Sequence, residues 1–443
     1  MKNIISYNNI FKVSLPIIIS GLSVNIVNIT DTIFLSNLSE IALGAAGNAG
    51  ILYYTFLMVG AGFTVGAQII IARRNGEGNL AKIGSLVNQT GYFILLLGLI
   101  AFLILRYVAD FFLPSIVSSE NVLVLIEEYL HYRSWGIFFT LINLVFIAFY
   151  VGTTKTKVLS WITPVSAGIN IFLDYGLIFG NLGMPALGVK GAALASNMAE
   201  AVGSLIFFTY TLNLKTKYAY KLFEIEKPDF IKIKRILITA GPIMIQNFIT
   251  LGAWFIFFSL IENLGEDQLA VSHIIRSIYM FIMIPVFGFA DATNTLTSNL
   301  LGQKEPNKVY QLIIRIIQIS FFANLIIMPI VWWQRELAIG IYTSNPIIFE
   351  LTEPVLMVIS GAIFVFSIGI IYYRAIAGTS KTLVAFWIEA ITIFIYLIYV
   401  YYVTKINPSS LSVVWASEFV YFGFMSVIGY LYMKYGNWKT SKV

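Results

Sequence analysis

The stretch PIIISGLSVNIVNITDTIFLSNL, residues 16–38, recurs in outline 226 residues later as PIMIQNFITLGAWFIFFSLIENL, residues 242–264. Both copies open on a proline, remain largely apolar and end on Asn-Leu. About 20 consecutive apolar residues are enough to cross a bilayer as a helix. The two stretches therefore predict a membrane protein built by duplication.

The same offset aligns further landmarks, and two acidic residues break the alignment. GTTKT at residues 152–156 meets GTSKT at residues 378–382. Asp31, in contrast, meets a phenylalanine, and Asp174 meets a valine. A repeat that keeps buried carboxyl groups in one half predicts that the halves share an architecture and differ in function.

The composition excludes an ordinary soluble protein. Hydrophobic residues make up 58% of the chain and charged residues 11%, whereas soluble domains are about 25% charged. Without cysteine, the chain has neither disulfides nor thiolate metal sites. Twelve apolar spans are predicted, and they are helices because backbone groups in lipid must bond within the segment: 10–36, 45–72, 84–112, 123–151, 157–180, 188–213, 234–262, 268–301, 308–334, 350–376, 380–404 and 409–433.

The distribution of basic residues predicts the orientation in the membrane. Most of the 28 Lys and Arg residues fall on one side, which includes both termini and the central linker, so these are expected to be cytoplasmic. The linker, residues 214–233, separates an N-terminal lobe, residues 1–213, from a C-terminal lobe, residues 234–443. Because six helices per half is an even number, the repeats enter the membrane in the same direction. The expected fold is all-α, with two six-helix lobes related by a pseudo-twofold axis.

Four residues form the principal candidate site. Asp31 and Asp174 are predicted at matching depths, about 8 to 9 Å from the outer ends of the first and fifth spans. Asn170 precedes Asp174 by one helical turn and shares its face. Ser196 enters at a similar depth on the sixth span. Asn28 and Glu200 are additional candidates, each on the face of a neighbouring candidate residue.

This grouping is suited to two kinds of chemistry. Burial and a neighbouring carboxylate both favour the protonated form of a carboxyl group, so the pair can take up and release a proton near neutral pH. Alternatively, the carboxylate, amide and hydroxyl oxygens can bind a hard cation such as Na⁺. A third interpretation is a polar cluster that only holds helices together.

Other buried residues carry weaker hypotheses. Glu389 and Glu418, in the eleventh and twelfth spans, either face a cavity for cationic cargo or pair with polar neighbours such as Thr392 and Ser417. Pro16 lies inside the first span, where it removes a backbone hydrogen bond and is a candidate hinge or a structural kink.

The absent motifs exclude several function classes. The sequence contains no G-x-x-x-x-G-K-[ST] phosphate loop and no H-E-x-x-H pair. No basic soluble segment with interleaved aromatic residues indicates nucleic-acid binding. The chain is therefore expected to be neither an enzyme nor ATP-driven, and to need no cofactor.

Several segments, in order, resemble the multidrug and toxic compound extrusion (MATE) family over the whole chain. They are VNITDTIFLSNL at 27–38, GAQIIIARRNGEGN at 66–79, the GTTKT and GTSKT pair, NIFLDYGLIFG at 170–180 and GVKGAALAS at 188–196. The resemblance implies export of organic cations and other drugs in exchange for protons or sodium by two six-helix lobes around a V-shaped cleft.

The resemblance also implies a location for the coupling site. Asp31, Asn170 and Asp174 match the acidic and amide residues of the DinF-like branch, whose cation site lies in the N-terminal lobe, and Ser196 stands where that site has a threonine. Near Thr250 and Ile363, where another branch places carboxylates, this chain has none.

The favoured function is therefore a proton- or sodium-coupled antiporter for amphipathic, mostly cationic organic compounds. It is expected to act as a monomer in the cytoplasmic (inner) membrane. The alternatives are a flippase for a lipid-linked oligosaccharide or peptidoglycan precursor, and a non-transporting scaffold or receptor. A flippase cavity is expected to present buried cations for pyrophosphate, whereas the sequence places almost no cation except Arg276 near mid-membrane.

Overall fold

The computed structural model describes residues 4–343 and 345–441, and all regular elements in these residues are helices. Within the described residues, eleven helices are long and apolar enough to cross a membrane, and a twelfth span is counted if one bent pair of helices crosses as a single span. The predicted all-α fold is confirmed. The spans are α1 (Tyr7–Leu38), α2 (Glu40–Gly76), α3 (Ala81–Ile116), α4 (Glu120–Arg133 with Gly136–Gly152), α5 (Thr156–Phe179), α6 (Val189–Leu212), α7 (Phe230–Glu262), α8 (Glu266–Gly302), α9 (Asn307–Trp333), α10 (Pro346–Gly378), α11 (Thr382–Ile406) and α12 (Leu411–Tyr435).

The repeat is visible in the helix boundaries. Helix α2 and helix α8 are each 37 residues long, and both ends of α8 lie 226 residues after those of α2. Helix α5 and helix α11 begin at Thr156 and Thr382, again at this offset. The duplicated sequence therefore folds into helices of matching register.

The fourth span differs from the continuous helix predicted for residues 123–151. It consists of two helices that meet at an angle of 51°. The break falls between Arg133 and Gly136, where Ser134 is fully buried and its hydroxyl donates to the His131 carbonyl at 3.1 Å. Small residues such as Ser and Gly are common at sharp helix kinks because they let the backbone leave the regular hydrogen-bond pattern.

Local capping sets the helix ends beside the candidate site. Helix α2 starts after Ser39, whose hydroxyl accepts a hydrogen bond from the Ala42 amide at 2.9 Å. Helix α5 ends at Gly180, which has a left-handed backbone (φ 77°) that glycine adopts without strain. The following loop folds back, since the Leu187 amide donates to the Leu177 carbonyl at 2.8 Å. This return brings the start of α6 next to the end of α5.

The chain divides into two compact units. One unit is Leu15–Met244, and the other comprises the remaining described residues, before Leu15 and after Met244. The divisions fall inside helices α1 and α7, each within two residues of an interior proline, Pro16 or Pro242. The lobes 1–213 and 234–443 remain a prediction.

The connection between α6 and α7 packs along the start of α3, within the unit Leu15–Met244. The Gly84 amide donates to the Tyr220 carbonyl at 2.8 Å. The Glu226 carboxylate accepts from the Ser85 hydroxyl at 2.6 Å and from the Lys232 ammonium at 2.9 Å. These hydrogen bonds, the one from Ser85 first, lower the pKa of Glu226 below its usual value.

Candidate functional site

Asp31 and Asp174 come together in the unit Leu15–Met244. Their carboxyl groups lie within hydrogen-bonding reach of each other across helices α1 and α5. Asp174 has 0% of its surface exposed, and Asp31 is partly buried. The structure thus places side by side the two acids that break the repeat.

Asn170 and Ser196 complete the predicted group. Asn170 is 2% exposed and lies one turn before Asp174 on α5. Its side-chain nitrogen is 3.5 Å from the Ser196 hydroxyl oxygen on α6. The four residues therefore come from three helices and converge on one small region.

Several oxygen atoms in this group are buried without a hydrogen-bond donor among the described residues. They are Oδ1 of Asp31, both carboxylate oxygens of Asp174 and Oδ1 of Asn170. Buried polar atoms are normally hydrogen-bonded, so such a concentration requires an explanation. A proton shared by the two carboxyl groups, or a bound cation, would satisfy these atoms.

An apolar cluster closes the site on one side. Leu35 follows Asp31 by one helical turn, and Ile178 follows Asp174 by one turn. Both are buried, and they pack with Val189 and Ala192 of α6. Side chains four residues apart share a helix face, so this cluster keeps water away from one end of the carboxyl pair.

The two additional candidates differ in environment. Asn28 is exposed, and its carbonyl accepts a hydrogen bond from the Thr32 hydroxyl at 2.8 Å. Glu200 is engaged in an ion pair with Arg133 at 2.6 Å. Within the described ranges no three His, Cys, Asp or Glu side chains form a metal-binding group, so Glu200 does not add a third carboxylate to the aspartate pair in this structure.

Arg133 is the residue of this region that sequence reasoning missed. The expectation that Arg276 is almost the only cation near mid-membrane stays a prediction, but Arg133 is a further cation that the protein encloses. Arg133 is only 8% exposed, and its guanidinium contacts α6 and lies over the Tyr53 ring of α2. The signal in the sequence is a cation within a predicted span that is followed closely by Ser134 and Gly136.

Glu389 and Glu418 lie outside this unit and are both enclosed. Glu389 is 4% exposed and accepts hydrogen bonds from the Tyr421 hydroxyl and, at 3.3 Å, from Thr250. Glu418 is 3% exposed and accepts from the Tyr279 hydroxyl at 3.1 Å.

Both glutamates pair with polar neighbours in this structure, as one of the two alternatives predicted, but Thr392 and Ser417 were the wrong partners. The Thr392 hydroxyl bonds to carbonyls of its own helix at 2.9 and 2.8 Å. The Ser417 hydroxyl makes no hydrogen bond to Glu418, whose donor is Tyr279 on α8. The actual partners lie mainly on other helices, which sequence spacing does not reveal.

The MatE family model matches this chain twice. The matched segments are residues 16–176 and 242–403, which begin 226 residues apart and together cover most of the chain. The family assignment and the internal repeat therefore agree on the same two segments.

Named relatives and solved structures point the same way. A probable multidrug resistance protein NorM from Thermotoga maritima is 26% identical over 98% of this chain and 93% of its own length. Another, from Pasteurella multocida, is 26% identical over 68% of this chain and 65% of its own length, slightly less than two thirds. The fold matches that of a solved multidrug resistance MATE family transporter of the MOP superfamily in an outward-facing conformation, with a TM-score of 0.89, 21% identity and coverage of 96% and 94% of the two chains. The chain belongs to the MatE family.

Proposed function

We propose that this chain is a multidrug efflux transporter that works as a secondary active antiporter. It exports amphipathic, mostly cationic organic compounds in exchange for protons or sodium, by alternating access. The family match and the names of the relatives support transport of drugs. The coupling mechanism rests on the aspartate pair.

The observation that carries the proposal is the cluster of donor-free oxygens around Asp31 and Asp174. Two ionised carboxylates at hydrogen-bonding distance repel each other, and burial adds a desolvation cost. Binding of one proton or one cation removes much of this cost. The site therefore has a strong intrinsic tendency to take up positive charge.

Each residue has a specific task in this proposal. Asp31 and Asp174 carry the negative charge that attracts the coupling ion. The side-chain amide oxygen of Asn170 and the hydroxyl oxygen of Ser196 supply neutral ligands if that ion is sodium. The apolar side chains around Leu35 exclude water on that side. Hydration therefore cannot stabilise the carboxylates there in place of a bound cation.

Coupling then follows from a difference in affinity between conformations. If the ion binds better when the site faces outside, its binding biases the transporter towards that state, and cargo biases it the other way. Pro16, buried inside α1 beside the division between the two units, is proposed as a hinge for this change. Glu389 and Glu418 are proposed to attract cationic cargo in a conformation that exposes them.

A flippase for lipid-linked precursors is not favoured. Such cargo carries a pyrophosphate, which requires uncompensated cations in the cavity. The buried Arg133 is already paired with Glu200. The proposal therefore retains organic cations as cargo. It also retains the cytoplasmic membrane as the location, both termini in the cytoplasm, and a monomer.

Efflux from membrane vesicles tests the coupling ion. A fluorescent organic cation is loaded, and either a pH gradient or a sodium gradient is imposed alone. One of the two gradients is expected to drive uphill export. Export that follows neither gradient, but only the cargo's own concentration difference, contradicts antiport.

A further inference from the structure

The strongest unexplained feature beside the aspartate pair is an ion pair between a buried arginine and a partly buried glutamate. Arg133 ends the first half of α4, and Glu200 lies on α6. Two contacts join them, from Nη2 to Oε1 at 2.6 Å and from Nη1 to Oε2 at 2.9 Å. A bidentate pair of this kind holds both side chains in one orientation.

Further contacts fix this pair on several sides. The Arg133 Nη1 atom also donates to the Asn197 side-chain carbonyl oxygen at 2.8 Å. The Thr140 hydroxyl donates to Glu200 Oε2 at 2.5 Å and also lies 2.7 Å from the Tyr53 hydroxyl. The guanidinium carbon lies 4.2 Å from the centre of the Tyr53 ring.

Gly136 is required by this arrangement. A β-carbon at this position would collide with the Asn197 side-chain carbonyl oxygen and the Arg133 guanidinium. The bend of α4, the glycine and the polar contacts therefore belong to one built structure. The Arg133–Glu200 ion pair lies at the centre of this structure, where a hydrophobic contact would be usual between helices.

The ion pair is electrostatically linked to the aspartates. Glu200 follows the site residue Ser196 by one turn of α6, which places the ion pair beside the aspartates. The charges of Arg133 and Glu200 both act on Asp31, and that of Arg133 also acts on Asp174. The other titratable groups facing Arg133 are the Tyr53 and Tyr129 hydroxyls, from α2 and α4. Released from Arg133, Glu200 would add a third negative charge near the aspartate pair.

We propose that Arg133 is a positioning residue that withholds Glu200 from the coupling site and so limits that site to two acidic charges. This inference rests on the proposed function, because it assigns the coupling role to Asp31 and Asp174. Removing the arginine charge makes the surroundings of the site more negative. Removing the glutamate charge makes them more positive by the same amount.

The test compares the full-length chain with Arg133→Gln, Glu200→Gln and the double variant in vesicles. The measured quantity is the concentration of the driving cation, sodium or protons, that gives half-maximal efflux. R133Q is expected to lower it, and E200Q to raise it, each on the order of tenfold for the loss of one nearby unit charge. The double variant, which restores the net charge, is expected to lie near the wild type.

The outcomes separate this inference from the proposed function. A structural role alone predicts that both single variants lose activity and thermal stability while the half-maximal concentration stays unchanged or moves in one direction. If efflux by the wild type is driven by a gradient, that result overturns this inference and leaves the proposed function intact. A wild type that responds to neither gradient overturns both.

A conservative variant keeps the test decisive. Arg133→Lys retains the charge and loses the bidentate geometry. Its half-maximal concentration is expected within about threefold of the wild type, because the lysine ammonium can still pair with Glu200 and neutralise its charge. If R133Q does not reach the membrane, E200Q and R133K still test the inference. It requires a higher half-maximal concentration in E200Q and little change in R133K.

Discussion

At the residue scale, the proposed coupling site is distinguished by which of its oxygen atoms have a hydrogen-bond donor. Glu200 is a carboxylate close to the aspartates, but its oxygens are occupied by Arg133 and Thr140. Asp174 is more deeply buried, and both of its oxygens lack a donor among the described residues. These nearby acids thus differ in their hydrogen-bond partners, a difference that burial alone does not describe.

The Ser196 hydroxyl provides a graded test of the proposed sodium site. Ser196→Thr keeps the oxygen, whereas Ser196→Ala removes it. If sodium is the coupling ion, S196A is expected to raise the half-maximal sodium concentration about three- to tenfold, as for one lost ligand contact, and S196T to stay within about twofold. Equal effects of both variants on sodium-driven efflux argue against a ligand role for the hydroxyl.

Gly136 provides a stability test beside the same site. Gly136→Ala is expected to destabilise the protein by about 1 to 3 kcal/mol, because the added methyl group overlaps Asn197 and Arg133. Gly91 on α3 is a matched control, because a methyl group added there would meet open space, so Gly91→Ala is expected to be neutral or slightly stabilising. Thermal unfolding in detergent measures both. A G136A midpoint equal to that of G91A is incompatible with the close approach.

At the element scale, the bent α4 and the docked connection between α6 and α7 are two departures from simple membrane-spanning helices. The bend places Arg133 at a helix end, where its side chain reaches α6. The connection, residues 213–229, is hydrogen-bonded to α3 through Gly84, Ser85 and Gln89. Both are held by specific polar contacts that depend on a few side chains.

The docked connection is expected to loosen in acid. The pKa of Glu226 is lowered in the folded chain, so its contribution is present above the unfolded pKa and is lost as pH falls through the folded value. Limited proteolysis of residues 213–229 is therefore expected to accelerate below about pH 4.5, the usual range for Glu. The side chain is 41% exposed, so the effect is small.

Glu226→Gln supplies the control for this pH effect. It removes the carboxylate and is expected to be cleaved faster at neutral pH, with a weaker dependence on acid. Cleavage of the wild type and of E226Q with the same pH dependence would show that another group controls the connection.

The sequence predicted the elements much better than the contacts between them. Spans and offset follow from apolar run length and from repeated landmarks, which are local properties of the chain. Asp31 and Asp174 were found because they interrupt the repeat. The pairing of Arg133 with Glu200, 67 residues apart, depends on how two helices are rotated and where α4 bends, and a single sequence carries little information about either.

At the scale of the whole molecule, duplication supplies two similar sets of helices, and the donor-free aspartate pair belongs to the first of them. The other half carries Glu389 and Glu418 with tyrosine donors instead. Membership of the MatE family explains the shared architecture. Under the proposed function, the unequal acids allow one half to respond to an ion gradient while the other half serves a different role.

The orientation can be tested directly because the chain has no cysteine. Lys217→Cys in the connection between α6 and α7 is expected to react with an impermeant thiol reagent only after the cytoplasmic side is opened. Asn407→Cys, between α11 and α12, is expected to react in intact cells. The reverse pattern contradicts the orientation derived from the basic residues.

The central claim, that the aspartate pair couples transport to an ion gradient, is tested most directly by uphill efflux from vesicles bearing Asp31→Asn or Asp174→Asn, with the exposed Asp110→Asn as control. Gradient-driven export is expected to fall to the rate without a gradient in D31N and D174N, and to persist in D110N. Downhill movement of the same cargo is expected to continue in all three. Full gradient-driven export by D31N or D174N would contradict the account.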